Sequence, residues 1–195
     1  MKNIVSLTLK LLIITLVCAA GLGAVNFVTE GPIEQQALEA ARAARETAFP
    51  GATDFKALYD PGVAEISGVT LEKLLGKDEL PKGYKDIKTV YTAVDADGNE
   101  IGIVAGVVTK GFNSGLHITI AIASDGKVMG VIVDAKTETA GLGSQAGEDW
   151  FQSQFTGKSG PLTVAKANPG DDQIEAITGA TVTSRGVTNA VNTVS

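Results

Sequence analysis

Cysteine and histidine are almost missing from this chain: its 195 residues include one of each, Cys18 and His117. A single cysteine cannot close an internal disulfide. One Cys with one His cannot build a typical zinc or iron–sulfur site, so no metal ligand is assigned. The lone histidine also leaves no Ser/His/Asp set for hydrolysis. It falls in an alternating run that reads as a strand, and no catalytic residue is expected. Basic residues are outnumbered, 16 Lys and Arg against 22 Asp and Glu, for a formal net charge of −6. With no basic cluster, that balance excludes nucleic acid as a partner and leaves an acidic, solvated face as the default. The chain has no dinucleotide fingerprint and no P-loop.

What it does have is one long apolar run. Mean hydropathy is +0.17, high for a soluble domain, and the excess sits in LLIITLVCAAGLGAVNFV, residues 11–28. Without a charge, this run is at the short end of what spans a hydrocarbon core, and residues 4–9 extend it with Lys10 snorkelling. Lys2 and Lys10 precede the run and Glu30 and Glu34 follow it. By the positive-inside rule the N-terminus is cytoplasmic and the rest extracytoplasmic, a single pass through the cell (inner) membrane. A cleaved signal peptide is the competing reading, since Cys18-Ala19-Ala20 resembles a small-residue cleavage site; the apolar run continuing past Ala20 weighs against it. Lipid attachment at Cys18 is disfavoured by bulky Val17 before it. Ala19, Gly21 and Gly23 are small enough to admit a partner helix, or are lipid-facing filler.

Gly31-Pro32 marks the exit from the bilayer, and Ile33, Ala37, Leu38, Ala41, Ala44 and Phe49 follow at near-helical spacing up to Pro50-Gly51. Residues 52–86 are mixed, with a helical turn at 71–75. The period then falls to two. Runs 88–94 and 100–109 flank Asp-Ala-Asp-Gly-Asn, and 117–123 and 127–135 flank Ser-Asp-Gly, two hairpin signals. The stretches DGNEIGIV (97–104) and DGKVMGVIV (125–133) echo each other, each with a glycine four residues after the first. Two copies predict an antiparallel meander, not a solenoid. Beyond it lie a short amphipathic helix at 148–155 with Trp150, Phe151 and Phe155 inward, a strand at 162–167 and a turn at 168–172. A last helix at 184–194 has Thr183 or Ser184 available as N-cap. The fold class is α+β: an N-terminal transmembrane helix, then an antiparallel β-sheet domain with flanking helices. The division is 1–30 (cytoplasmic N-terminus and transmembrane helix), 31–51 (juxtamembrane helix) and 52–195 (extracytoplasmic domain).

Before the last helix, EAITGATVTS (175–184) crowds four hydroxyls, Thr178, Thr181, Thr183 and Ser184, around Gly179 and Ala180. A helix N-terminus concentrates unpaired amides and positive dipole, which suits an anion such as phosphate. The two small residues permit close approach, and Arg185 adds a cation. A plain turn before a capped helix explains the same residues, and from them alone both readings stay open.

EAITGATVTS resembles the flavinylation motif of the FMN-binding domain family: an acidic residue, two spacers, then Ser/Thr-Gly-Ala-Thr. KTETAGLGS (136–144) resembles that family's Glu-Thr-Pro-Gly-Leu-Gly segment. Anchor, hairpins and both motifs in this order are similar to G subunits of Rnf-type complexes, ion-translocating ferredoxin:NAD⁺ oxidoreductases. A related family is the C subunit of Na⁺-translocating NADH:quinone oxidoreductase, and a stand-alone extracytoplasmic FMN domain is a third possibility. The resemblance implies FMN held covalently through its phosphate on Thr181, with Thr178, Gly179, Ala180 and Thr183 beside the phosphate. Glu138, Thr139, Gly141, Leu142 and Gly143 then lie around the ring. Glu175 stands where Asp is usual, and Ala140 where Pro is usual. The resemblance further implies an electron-transfer phosphoprotein without independent activity. Its partners would be the other membrane and peripheral subunits, a flavin transferase for maturation, and the lipid bilayer.

Overall fold

Residues 2–48 form a single helix. In this computed structural model every residue is described except Met1, Ser67, Lys77, Asp78 and Lys82, and the side chains of Lys2, Asn3, Glu34, Glu65 and Ser114. The flanking charges expected at Lys2 and Glu34 therefore lie outside the described side chains. The chain divides into two units, Met1–Arg42 and Ala43–Ser195.

Helix α1 (Lys2–Ala48) supplies all of the first unit. It is long and apolar enough to cross a membrane, its most apolar stretch having a mean hydropathy of 2.4. The described side chains from Ile4 to Ala43 are exposed. The Thr8, Thr15 and Thr29 hydroxyls donate to carbonyls four residues back, at 3.0, 3.1 and 2.9 Å, which removes their polar hydrogens from the apolar surface. Gly31-Pro32, the expected exit from the bilayer, does not interrupt the helix: Pro32 sits inside α1. A proline removes one rung of the ladder and costs about 3 kcal/mol. The helical pattern on both sides of it outlasts that loss.

The second unit is built on a five-stranded antiparallel sheet in sequential order, β1 (Asp54–Tyr59), β2 (Ile87–Val94), β3 (Glu100–Lys110), β4 (Ser114–Ala123) and β5 (Val128–Asp134). The meander expected from the two hairpin signals is present. Strand β1 lay hidden in the mixed region, because DFKALY carries no clean alternation. A short helix α2 (Leu71–Leu75) and α3 (Asp149–Gln152) follow the sequence expectations, α3 running into a 3-10 turn at Ser153–Phe155. Phe151 and Phe155 are fully buried, ring centroids 5.6 Å apart, but Trp150 is exposed against Phe151. Two three-residue strands, β6 (Thr163–Ala165) and β7 (Gln173–Glu175), pair in parallel. Strand β6 falls within the strand expected at 162–167, whereas β7, three residues long, has no sequence signal.

Alternation on the strands makes two cores. On one face Leu116, Ile118, Ile120 and Ile122 of β4 pack under helix α4 (Thr181–Val194), which contributes Val187, Ala190 and Val191. On the other, Ala93, Val104 and Ala121 lie under Ala48 and Phe49, where α1 ends. The echoed glycines belong to this second face. A Cβ on Gly102 would come within 2.7 Å of Phe49 Cε2, and one on Gly130 within 2.4 Å of the Ala48 carbonyl oxygen. The internal similarity is thus one steric requirement met twice: bare backbone where residues 48 and 49 cross the sheet. Beside them the Arg45 guanidinium lies 4.2 Å from the centroid of the Tyr91 ring, a cation–π contact. The Tyr91 hydroxyl donates to Asp60.

Gly130→Ala is expected to destabilise the sheet unit by about 1–3 kcal/mol, through overpacking against backbone that cannot yield cheaply, measured by urea denaturation. Burial first, then the bond to Asp60, pushes the Tyr91 phenol up from 10.0 to about 12, against the opposing pull of Arg45. Between those values the folded chain keeps a proton that the unfolded chain has lost, so this contribution is complete below pH 10 and vanishes as pH rises through 12. Tyr91→Phe should flatten that part of the alkaline decline in urea midpoint between pH 9 and 11.5; an unchanged slope would exclude it.

Candidate functional site

Helix α4 begins three residues earlier than the hydroxyl pattern suggests, at Thr181, with Ala180 as a cap that makes no side-chain hydrogen bond. The expected capping by Thr183 or Ser184 is corrected accordingly. The start is set by the turn before it. Ala180 N–H donates to the Ile177 carbonyl at 2.9 Å, and Gly179 takes φ 76°, the conformation that the third position of such a turn demands. Ser184 straps the turn from inside, accepting from Ile177 N–H at 3.0 Å and donating to the Ala180 carbonyl at 3.1 Å.

The four hydroxyls therefore do different work. Ser184 and Thr183 are buried, Thr181 is half-buried at the first helical position, and Thr178 is exposed at the turn. Thr183 Oγ1 donates to Glu138 Oε2 at 2.6 Å. The same oxygen accepts from Phe112 N–H at 3.2 Å, and Oε1 accepts from Asn113 N–H at 2.9 Å. Glu138 is buried, and Gly111 and Gly143 leave it room: a Cβ on either would fall 2.6 or 2.4 Å from a carboxylate oxygen. One carboxylate thus ties together the β3–β4 turn, the loop after β5 and the first turn of α4. Next to it, Leu142 and Ser144 N–H donate to the Thr139 carbonyl, Gly141 N–H to Ser144 Oγ, and Gln145 Nε2 to the Gly141 carbonyl.

These three segments enclose a cleft of about 320 Å³. Thr181, Gly179, Ala180 and Thr183 line it from the helix side, and Glu138, Thr139, Leu142 and Gly143 from the loop. Of the residues singled out in the sequence, Thr178 and Gly141 shape their turns without lining the cleft. Glu175 and Arg185 are exposed and also do not line it. Two lining residues escaped the sequence reading, Phe112 and Val182. Phe112 carried one overlooked signal, an aromatic at the tip of the Gly-Phe-Asn hairpin turn; Val182 carried none beyond its place inside the motif.

The cleft lining mixes two chemistries. The first N–H groups of α4 have no intrahelical acceptor, and the helix dipole adds positive potential. Around the same space Phe112, Leu142 and Val182 are exposed by 68, 42 and 54%, a large apolar surface in a domain that buries most of its apolar side chains. Among the lining residues Glu138 is the only ionisable group, and both its oxygens are engaged. A ligand with a phosphate at one end and a flat apolar body fits that polarity.

The FMN-binding domain family matches residues 111–194. The chain is 33% identical to the G subunit of the Na⁺-translocating ferredoxin:NAD⁺ oxidoreductase complex of Acetobacterium woodii, over 98% of this chain and 89% of that protein. The chain belongs to this G-subunit family. It is also 26% identical to the G subunit of the ion-translocating oxidoreductase complex of Methanosarcina acetivorans, over 98% of this chain and 92% of the other. Among solved structures it is similar to the crystal structure of Shewanella oneidensis NqrC, with 27% identity over 58% of this chain and 61% of that one, at a TM-score of 0.48.

Glu138→Ala orphans two part-buried amides and a buried hydroxyl at once and is expected to cost about 2–4 kcal/mol of stability in urea denaturation. Glu138→Gln keeps an acceptor and should cost less. Equal losses for the two would show that the carboxylate's bonds are not what holds the segments together.

Proposed function

We propose that this chain is the FMN-carrying electron-transfer subunit of an ion-translocating ferredoxin:NAD⁺ oxidoreductase complex. Family membership over almost the whole chain supports the assignment, with the relative from Acetobacterium woodii named as such a subunit. Covalent attachment rests on one observation: Thr181 is the first residue of a 14-residue helix whose cap makes no side-chain hydrogen bond, and it lines a cleft that it shares with exposed apolar side chains.

In this reading the Thr181 oxygen carries the flavin phosphate as an ester, and the amides of the first helical turn receive the remaining phosphate charge. Gly179 and Ala180 give the phosphate room, while Thr178 and Thr183 are near neighbours of the attachment point, Thr183 already donating to Glu138. The loop with Thr139, Gly141, Leu142 and Gly143 walls the ring end. FMN, when bound, supplies one- and two-electron redox chemistry that no side chain of this chain can. The chain's part is to hold it, exclude water from one side and keep its local concentration high by tethering. Thr181 is then the substrate of a separate flavin transferase, and the modified chain is a phosphoprotein.

The exposed apolar surface of α1 supports a membrane anchor. We assign residues 1–30 to a cytoplasmic N-terminus and transmembrane segment, 31–51 to the continuing juxtamembrane helix and 52–195 to an extracytoplasmic flavin domain. Other subunits of the complex must bring ferredoxin and NAD⁺ chemistry, because the chain has neither a nucleotide fingerprint nor cluster ligands.

Produced together with a flavin transferase, the chain should gain the mass of one FMN less one water, on the peptide containing Thr181. Thr181→Val should lose this adduct while keeping its unfolding free energy, from urea denaturation, within about 1 kcal/mol of wild type; Thr178→Val should reduce attachment less. Acid-stable flavin retained by the Thr181 variant would refute the site.

A further inference from the structure

Of the six phenylalanines, Phe49, Phe151 and Phe155 are buried, Phe55 is half-buried and Phe27 lies on the apolar helix α1. Phe112 alone among them stands on the sheet unit with its ring 68% exposed. It is not on a loose tip. Its own N–H and that of Asn113 bond to Glu138, Asn113 Nδ2 donates to the Thr137 carbonyl at 2.9 Å, and buried Gly111 packs against Glu138 and Leu116. The backbone under the ring is anchored, yet the ring takes no place in either core.

Its neighbours share that condition. Among the described residues of the sheet unit, six large apolar side chains are exposed: Leu74, Leu75, Phe112, Leu142, Trp150 and Val182. Phe112, Leu142 and Val182 line the same cleft, each from a different segment, and they share it with Thr181. Three segments converging to expose apolar groups to one space is costly for a surface that stays wet. A flat aromatic ligand seated there would recover that area, and aromatic side chains meet flat rings by offset or edge contact.

We propose that Phe112 lies against the isoalloxazine ring of the flavin and shields it from solvent, with Glu138 acting through the β3–β4 turn to position it. This assignment rests on the reading of the cleft as the flavin site. Phe112 is then the contact residue and Glu138 a positioning residue. The β3–β4 turn, outside both sequence motifs, becomes the third wall of the site.

The test uses the full-length chain produced with a flavin transferase, as wild type, Phe112→Ala and Phe112→Trp. Intact mass first establishes the adduct in each. Iodide quenching of flavin fluorescence then reads access to the ring, and the fluorescence yield of the tryptophan variant reads contact, since an indole quenches a flavin efficiently only when the two touch. Phe112→Ala should raise the iodide quenching constant at least twofold, and Phe112→Trp should lower the yield severalfold. Adduct-bearing variants with wild-type quenching and wild-type yield would overturn the role of Phe112 while leaving the attachment site standing. Absence of the adduct from the wild type itself would overturn the flavin reading, and this inference with it. Glu138→Gln, if adduct-bearing and folded, should also raise iodide access, and wild-type access in that variant would remove its positioning role.

Discussion

A buried carboxylate accepting three hydrogen bonds, two from the β3–β4 turn and one from the first turn of α4, is the constraint on which the site depends. Glu138 binds donors 25, 26 and 45 residues away in sequence. Taking a carboxylate out of water is expensive, and the structure compensates with two backbone amides and a hydroxyl in a setting where each such bond is stronger than at the surface. The two glycines against its oxygens show how closely the surroundings are fitted. Because the same group fixes the β3–β4 turn, the loop after β5 and the start of α4, the cleft between them inherits its shape from one interaction.

That arrangement separates holding from binding. Thr183 and Ser184 spend their hydroxyls inside the protein, and Thr181, two residues earlier on the same helix, is left facing the cleft. A helix whose cap makes no side-chain bond keeps its first amides for something else. The apolar exposure of Phe112, Leu142 and Val182 around the same cleft follows the same logic. On the opposite face of the sheet, Gly102 and Gly130 serve packing alone, clearing a lane for Ala48 and Phe49, while Arg45, Tyr91 and Asp60 line up beside it.

Much of the architecture was legible from one dimension. The apolar run, the period-two stretches with Asp-Gly turns and the last amphipathic helix are local patterns, and local patterns survive in a sequence. The strand expected at 162–167 is present, shortened to β6. Strands β1 and β7 were not legible: their pairing is supplied by partners distant in the chain, and strand propensity depends on such context. The start of α4 was misjudged because Ser and Thr are the usual caps, whereas here a positive φ at Gly179 and the internal strap of Ser184 set the boundary. Gly31-Pro32, read as the exit from the bilayer, lies inside one continuous helix.

The sequence by itself determined the hydroxyl-rich turn before the last helix and the glycine-containing loop before it, because a short run of residue types is a local statement about backbone and chemistry; their resemblance to the FMN-binding domain family singled out Thr181 as the candidate attachment residue. It also determined that α1 is apolar over a bilayer's length. Only the tertiary structure decided that the two motifs face each other, that Glu138 is a clamp with its oxygens already engaged, and that Phe112 joins them. Those facts depend on sheet register and on contacts between residues 25 to 45 positions apart. Sequence periodicity reports which side of an element is apolar; it carries no record of which distant segment will meet it.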